Sequence, residues 1–308
     1  MTTDNRPGGV LAPVVTPFDA DLRPDVGRWI AHCRWLLDND VGLAVFGTNS
    51  EANSLSTDEK LAMLAQLAEA GLPTARMMPG TGCCALSDSV ALTRKAVELG
   101  CGGVLMLPPF YYKNPSDEGL YRNYAEIIQR VGDARLRIYL YHIPPIAQVP
   151  ITLTLIERLL RDFPGTIAGV KDSSGDWHNT RAMLERFQPA GFDVFPGSES
   201  FLLAARRAGG AGCISATANV NPGPIARLAR SWQEADAEDQ QAALNGVRGV
   251  FQSYVMIPAL KAAIAHYADD PGWNRLRPPL VELDAAQRGQ LVERLTGLGF
   301  RMPGLGHA

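Results

Sequence analysis

Eight short apolar runs, separated by longer amphipathic stretches, constrain the fold of this chain more than any other feature of its sequence. Most of these runs are continuously apolar, which is typical of parallel strands buried on both faces. The sequence therefore predicts eight parallel strands, at residues 10–16, 42–47, 75–80, 103–107, 137–142, 167–171, 193–196 and 212–215.

Helical patterns follow most of these runs. Candidate amino-terminal caps stand at Thr57, Ser87, Ser116 and Thr152, each before apolar residues at helical spacing. Strands that alternate with helices form a parallel sheet, and eight such strands close into a barrel. A doubly wound open sheet is the alternative, but no glycine-rich dinucleotide fingerprint follows the first run. The prediction is an α/β fold, a (β/α)₈ TIM barrel.

The strand pattern stops near residue 222. Helical patterns then cover residues 222–232, 237–266 and 284–298, with turn-forming residues between them. We therefore expect a barrel domain over residues 1–222 and a C-terminal helical extension over residues 223–308.

Charge and composition exclude several classes of partner. The formal net charge is −3 and no long basic run occurs, so we expect no nucleic acid and no anionic membrane as partner. No apolar run is long enough to span a bilayer, and residues 1–9 lack the pattern of a signal peptide. The five cysteines fit neither a zinc site nor a disulfide framework, which predicts no metal and a cytoplasmic protein.

Barrel enzymes place their active sites at the carboxyl ends of the strands. The second run is followed by residues 47–51, where Thr48 and Asn49 offer a hydroxyl, an amide and backbone N–H groups. Such a turn suits a carboxylate, although an ordinary strand–helix turn would use similar residues. Tyr139 and Tyr141 share one face of the fifth strand, and the lone His142 beside them is expected to be structural.

Lys171 ends the sixth apolar run. The chain holds five lysines against 24 arginines, so a lysine at the mouth of a core strand is unusual here. Burial lowers the pKa of a lysine and so supplies the neutral amine that imine formation needs. Arginine could not replace it. A salt-bridged or snorkelling lysine is the alternative. We interpret Lys171 as a candidate nucleophile.

The order of these motifs resembles the dihydrodipicolinate synthase / N-acetylneuraminate lyase family, over nearly the whole chain. The lysine motif, with the tyrosine motif about thirty residues before it, is the most specific pair. The similar segments are residues 47–51, 109–112, 141–144, 169–176, 197–198, 218–220, 257–261 and 277–280.

The resemblance implies a role for each matching residue. Lys171 would form a Schiff base with a 2-oxo acid, and Tyr141 would shuttle protons. Thr48 and Asn49 would hold the carboxylate of pyruvate, and Tyr111 would reach a neighbouring subunit's site to complete a relay with Thr48 and Tyr141. Tyr112 is the alternative to Tyr111. The family also implies a homotetramer built from dimers, no cofactor, and substrate contacts from Ser173, Gly197 and the residue at position 146.

The chain departs from dihydrodipicolinate synthases at several positions. Ser50 stands where they usually have glycine, and Ile146 stands where they usually carry an arginine for the second substrate's carboxylate. Arg206 or Arg207 could supply a replacement for that arginine. Four segments resemble 4-hydroxy-2-oxoglutarate aldolases and related 2-oxo acid aldolases more closely: Asn49 and residues 171–173, 218–220 and 257–258. We expect a class I carbon–carbon lyase that joins or releases pyruvate and an aldehyde. The alternatives are a 2-keto-3-deoxy acid dehydratase or hydratase-aldolase, a dihydrodipicolinate synthase, and a non-catalytic 2-oxo acid sensor, which would have no need of the relay.

Overall fold

The computed structural model describes residues 6–306. Within that range all strands that pair do so in parallel, in the orders β2-β1-β7 and β3-β4-β5-β6. The strands are β1 (Gly9–Ala12), β2 (Val41–Leu43), β3 (Val104–Met106), β4 (Ile138–His142), β5 (Ile167–Asp172), β6 (Asp193–Pro196) and β7 (Gly212–Ile214).

The third predicted strand, residues 75–80, is present only as a short bridging segment between β2 and β3. Met78 N–H donates to the Leu43 carbonyl at 2.8 Å, and Leu105 N–H donates to the Pro79 carbonyl at 2.9 Å. Pro79 has no N–H to give to a ladder, which explains why the pairing reduces to isolated bridges at Met77 and Gly80.

The two sheets also meet between β6 and β7, which closes the barrel. These two strands adjoin, and Ala211 N–H donates to the Val194 carbonyl at 3.1 Å. We call the seven strands and the bridging segment the eight staves of the barrel. They follow one another in sequence order around a closed barrel, so the predicted (β/α)₈ fold is confirmed.

Each stave is followed by a helix that returns along the outside of the barrel, and after β4 a four-residue helix, Pro144–Ala147, comes before the returning one. These helices are α1 (Val26–Asp38), α2 (Thr57–Glu69), α3 (Leu86–Glu98), α4 (Asp117–Val131), α5 (Pro144–Ala147), α6 (Leu153–Asp162), α7 (Trp177–Phe187), α8 (Leu202–Arg207) and α9 (Pro222–Ser231). Three predicted caps lie within one residue of the observed ones. Ser116 and Thr152 cap α4 and α6 as expected, whereas Ser56, not Thr57, caps α2 through a reciprocal bond with Glu59.

The barrel interior is filled by side chains from every stave, so it is a packed core and not a pore. Tyr139 fills its centre: a Cβ on Gly103 or Gly169 would lie 2.6 Å from its ring. These glycines leave room for the aromatic ring. The interior cluster consists of Leu11, Ala44, Met78, Leu105, Tyr139, Tyr141, Ile143, Ala147, Ala168, Phe195 and Ile214.

Three further helices follow the barrel: α10 (Ala237–Gln252), α11 (Met256–Tyr267) and α12 (Ala285–Gly297). The sequence predicted one helix over residues 237–266, and this was wrong at residues 253–255. Pro258 lacks the N–H that a continuous helix would need there, so α11 starts afresh with Pro258 in its first turn. The domain boundary after residue 222 stays a prediction, and α9, which packs on β1, begins at that position.

The sequence analysis predicted neither a signal peptide nor a membrane-spanning segment. Residues 1–5, part of the segment examined for a signal peptide, lie outside the described residues. Within residues 6–306, none of the helices combines the length and apolar character needed to cross a bilayer.

Candidate active site

Lys171 lies at the carboxyl end of β5 with its side chain inside the barrel. It pairs with Tyr141 of β4 in the parallel register, so both side chains share the inner face. Only 2% of Lys171 is exposed. Its Nζ lies 3.1 Å from Tyr141 Oη and 4.2 Å from the centre of the tyrosine ring. The lysine is therefore a buried amine at the mouth of the barrel, and its Nζ contacts a phenol.

Thr48 extends this contact into a row of three groups. Its Oγ1 lies 3.1 Å from Tyr141 Oη, and either oxygen can donate. The row thus runs from an amine through a phenol to a hydroxyl, and a proton can move along it in short steps. The structure brings together these three residues, which sequence reasoning had placed on separate strand ends.

A tight turn presents Thr48 and Asn49 at this end of the barrel. Residues 48–50 form one turn of 3₁₀-helix, and Ser50 Oγ accepts from Gly47 N–H at 3.1 Å. The Ser50 carbonyl accepts from Thr16 Oγ1 at 2.7 Å, which ties the turn to the chain after β1. Ser50 is thus a structural residue of the turn, and Asn49 is half-buried beside Thr48.

A buried ion pair anchors the same turn from the C-terminal helices. Glu51 has a positive φ of 56°, and its Oε1 accepts from Lys261 Nζ of α11 at 2.5 Å. Both side chains are fully buried. Arg277 N–H donates to the other carboxylate oxygen at 3.1 Å. Burial lowers the pKa of Lys261 to about 8, against the opposing attraction of Glu51.

This ion pair leads to a prediction about stability. Lys261→Met should lower the free energy of unfolding by about 3–5 kcal/mol, because the Glu51 carboxylate would stay buried without its partner. The double variant Glu51→Gln/Lys261→Met should recover most of that loss, since no charge is then left unpaired. Urea unfolding of the single and double variants measures both quantities. Equal losses in the two variants would show that the two side chains are not coupled.

Asp172 secures the end of β5 on the other side of Lys171. Its carboxylate accepts from Thr180 Oγ1 at 2.6 Å and from Ser174 N–H at 3.0 Å, which joins the strand to α7. His142 beside it is buried, and its Nδ1 accepts from Ile151 N–H at 3.0 Å. Burial lowers the pKa of His142, with Asp172 opposing. This bonding agrees with the structural role expected for His142.

Ser173 and Gly197 meet at the carboxyl ends of β5 and β6. Ser173 N–H donates to the His142 carbonyl at 2.7 Å, and Gly197 N–H donates to the Asp172 carbonyl at 2.7 Å. A Cβ on Gly197 would lie 2.0 Å from Ser173 Oγ, so only glycine fits there. The two residues predicted to contact substrate are thus neighbours, and Ser173 follows the strand that carries Lys171.

The loop after β3 carries the two exposed tyrosines. Tyr111 is 73% exposed and Tyr112 is 79% exposed, and their rings meet edge to face. Within the described part of one chain, no hydrogen bond joins Tyr111 to Thr48 or Tyr141. Lys113, which the sequence did not single out, ties the loop to α5 by donating to the Ala147 carbonyl at 3.1 Å. The role of Tyr111 in a neighbouring subunit stays a prediction.

Ile146, Arg206 and Arg207 are the residues that the sequence analysis considered for contact with a second substrate. Ile146 lies on α5 and is 62% exposed. Arg206 and Arg207, considered as substitutes for the missing arginine, lie elsewhere. Arg206 Nη1 donates to the Gly210 carbonyl at the amino end of β7, and Arg207 pairs with Glu238 of α10. Neither guanidinium is placed at the mouth of the barrel, so that suggestion was wrong.

A second buried acid at this end was missed by sequence reasoning. Glu199 follows β6, is fully buried, and accepts from Ser215 Oγ, Thr217 Oγ1 and Arg248 Nη1, the last at 2.8 Å. Arg248 lies on α10, so this pair also joins the C-terminal helices to the carboxyl ends of the strands. Its partners are far apart in sequence, and no local pattern indicates the contact. The lysine in the apolar stretch 257–265 was the one available signal for the similar pair at Glu51.

Fold and site together define a class of protein: a barrel enzyme with its candidate site at the carboxyl ends of the strands. Comparisons with known proteins then identify the family. The profile of the Dihydrodipicolinate synthetase family matches residues 6–298. A relative described as an uncharacterized DapA-like lyase, from Chloroflexus aurantiacus, is 34% identical over 285 residues, which cover 90% of this chain and 92% of the relative.

Two solved structures resemble nearly the whole chain. Dihydrodipicolinate synthase from Agrobacterium tumefaciens has a TM-score of 0.86 at 30% identity, covering 94% of this chain and 99% of its own. YagE, a prophage protein of the dihydrodipicolinic acid synthase family from E. coli K12, was solved in complex with pyruvate. It has a TM-score of 0.86 at 25% identity, covering 95% of this chain and 99% of its own.

The chain belongs to the dihydrodipicolinate synthetase family, and it is a lyase. The predicted family is therefore confirmed. The finer prediction, a closer resemblance to 4-hydroxy-2-oxoglutarate aldolases, finds no support in these relatives, one of which is a dihydrodipicolinate synthase. The homotetramer and the cytoplasmic location stay predictions.

Proposed function

We propose that the protein is a class I aldolase that makes and breaks a carbon–carbon bond next to pyruvate through an imine on Lys171. The observation that carries this proposal is the hydrogen-bonded row of Lys171 Nζ, Tyr141 Oη and Thr48 Oγ1, with 3.1 Å at each step. An amine buried beside a phenol and a hydroxyl has both the nucleophile and the proton carriers that imine chemistry requires.

The reaction begins with binding of the 2-oxo acid. Thr48, Asn49 and the N–H groups of their turn hold its carboxylate, and the 2-oxo carbon then faces Lys171 Nζ. The amine adds to that carbon, Tyr141 supplies a proton to the departing oxygen, and water leaves. The product is a protonated imine between Lys171 and the substrate.

Cleavage follows from the charge on this imine. Tyr141 accepts the proton of the C4 hydroxyl, the C3–C4 bond breaks, and its electron pair moves into the iminium. An aldehyde leaves, and an enamine of pyruvate stays on Lys171. Protonation at C3 and hydrolysis then release pyruvate and restore the amine. The iminium accepts the electrons, so the step is balanced without a metal or an organic cofactor.

A second candidate is condensation of pyruvate with an amino aldehyde, which the names of related proteins favour. Dihydrodipicolinate synthases usually carry an arginine at the position of Ile146. Here the side chain at that position is apolar, and the neighbouring arginines considered above lie away from the mouth of the barrel. We therefore propose a second substrate whose far end is neutral, or a short acid held by other groups.

The substrate test follows from Ile146. The kcat/KM for cleavage of 4-hydroxy-2-oxoglutarate or of a 2-keto-3-deoxy sugar acid should exceed that for condensation of pyruvate with aspartate semialdehyde by about a hundredfold or more. The reason is that a charge-assisted bidentate contact is missing. A panel of 2-oxo acids and aldehydes, with pyruvate formed or consumed as the readout, measures both directions.

Ile146→Arg is the matched variant for this comparison. It should raise condensation with aspartate semialdehyde and leave cleavage of a neutral-ended substrate within about threefold, because the side chain at position 146 is 62% exposed and an arginine there can stay in solvent when no carboxylate is bound. Efficient condensation by the unaltered protein would contradict the role assigned to Ile146, although it would leave the imine mechanism in place.

A further inference from the structure

A cavity of about 290 Å³ lies at the amino-terminal face of the barrel, at the opposite end from Lys171. Its walls include the backbone at the start of β1 and one side of α9. Four charged side chains line it: Asp40, Arg76, Arg206 and Arg230. The proposed aldolase chemistry uses none of them.

The charges of this cavity do not balance. Asp40 is the one carboxylate among its lining residues, and it is shared. Its Oδ1 accepts from Arg76 Nη2 at 3.0 Å, and its Oδ2 accepts from Arg230 Nη1. Three guanidinium charges against one carboxylate leave an excess of two positive charges in the cavity. Both pairs are partly exposed, so Asp40 holds the two arginines only weakly.

One buried nitrogen of Arg206 has no hydrogen-bond acceptor within residues 6–306. Its Nη1 donates to the Gly210 carbonyl at 2.8 Å, and its guanidinium lies 5.7 Å from the centre of the Trp232 ring. Its Nε is buried and finds no hydrogen-bond partner within residues 6–306. Burial lowers the pKa of Arg206, yet a guanidinium keeps its charge in proteins. Buried donors are nearly always hydrogen-bonded, so this nitrogen indicates a place where a ligand can supply an acceptor.

We propose that this cavity binds a small dianionic oxyanion of the phosphate type, held by Arg206 together with Arg76 and Arg230. The anion supplies the missing acceptor for Arg206 Nε and cancels the excess charge. Guanidinium groups fit phosphate oxygens through paired N–H donors, which favours such an anion over a single carboxylate. A volume of about 290 Å³ is at the lower end for ligand sites and favours a small ion over a nucleotide.

Titration calorimetry of the intact protein with inorganic phosphate tests this site. Ionic strength is kept constant with sodium chloride, and saturating pyruvate occupies the carboxylate cradle near Thr48. We expect one phosphate bound per chain. Glycerol 3-phosphate and malonate are titrated in parallel. The first asks whether the phosphate is free or part of a small ester, and the second asks whether a dicarboxylate competes.

Arg206→Met should weaken phosphate binding by about tenfold or more, since a charged hydrogen-bonding group is lost. Arg227→Met is the matched control. Arg227 lies on α9, changes the net charge equally, and pairs with Asp236 away from this cavity. Its removal should leave phosphate affinity unchanged.

Asp40→Asn protects the test against simple misfolding. Asp40 has a positive φ of 61°, a conformation that asparagine adopts readily. The substitution removes the carboxylate that competes for Arg76 and Arg230, so phosphate should bind at least about threefold more tightly. An unfolded or damaged protein cannot bind more tightly.

Three results would overturn the proposal: no phosphate binding, equal affinity in the unaltered protein and in Arg206→Met, or weaker binding in Asp40→Asn. Tighter binding of malonate than of phosphate would overturn the assignment to a phosphate-type anion. Tighter binding of glycerol 3-phosphate than of phosphate would identify an ester as the occupant, and tighter binding of phosphate would identify the free ion. Both of these support the site.

Discussion

Borohydride reduction in the presence of pyruvate should attach one reduced pyruvoyl group to each chain, at Lys171. Reduction converts the imine into a stable amine, so peptide mapping by mass spectrometry identifies the lysine. The expectation rests on burial of Lys171 at the carboxyl end of β5, with Tyr141 Oη 3.1 Å from its Nζ. The chain has five lysines, which keeps the assignment unambiguous.

Lys171→Ala and Lys171→Arg should each lower turnover by about 10⁴-fold or more, because neither side chain can form the imine. Lys171→Arg is the sharper variant, since it keeps a positive charge next to Tyr141. Both should lose the borohydride label. Retention of most of the activity in either variant would contradict the imine mechanism.

Lys261 is the rival that this experiment has to exclude. It is also buried, and burial lowers its pKa to about 8. However, it is fully enclosed and bonded to Glu51 at 2.5 Å, which leaves no path for a keto acid. Label on Lys261 would show that the wrong lysine has been assigned.

The sequence predicted the barrel because buried parallel strands leave a strong local signal. Continuous apolar runs identified β4, β5 and β6 to within a residue or two at their ends. The third stave is the exception: Pro79 breaks its hydrogen-bond ladder, although its position between β2 and β3 is as expected. Proline also split the long predicted helix at residues 253–255, a break that Pro258 could have indicated.

The core of the candidate site was also predictable, for a topological reason. In a parallel barrel all strands point the same way, so polar residues that end different strands meet at one face. Lys171, Tyr141 and Thr48 satisfy that rule and lie in one hydrogen-bonded row. The rule needs no knowledge of contacts between distant segments.

The contacts between the candidate site and the C-terminal helices could not be predicted in the same way. Glu51 and Lys261 are 210 positions apart, and their contact depends on how the C-terminal helices pack on the barrel. Arg206 illustrates a different error. It lies in the last turn of α8, and a helix that follows a strand runs back toward the amino-terminal face. Helix direction alone would have placed it away from Lys171.

Tyr141→Phe should lower turnover by about 10²–10⁴-fold while the fold is kept, because the substitution removes only the hydroxyl. That hydroxyl is the middle member of the row, 3.1 Å from both Lys171 Nζ and Thr48 Oγ1. Its loss removes the proton carrier for dehydration to the imine and for cleavage. Borohydride trapping with pyruvate should still label Lys171, only more slowly, which separates a proton-transfer defect from loss of the nucleophile.

Tyr111→Phe and Tyr112→Phe form a matched pair for the remaining part of the relay. Both side chains are exposed on one chain, so a change in activity in either variant points to a neighbouring subunit. We expect Tyr111→Phe to lower kcat less than Tyr141→Phe does, and Tyr112→Phe to leave it within about threefold. Sedimentation measurements on the same samples test the expected tetramer. A fully active monomer, together with full activity of Tyr111→Phe, would contradict a role for Tyr111. The relay would then end at Thr48, and Tyr141 would exchange protons only with the substrate and the Thr48 hydroxyl.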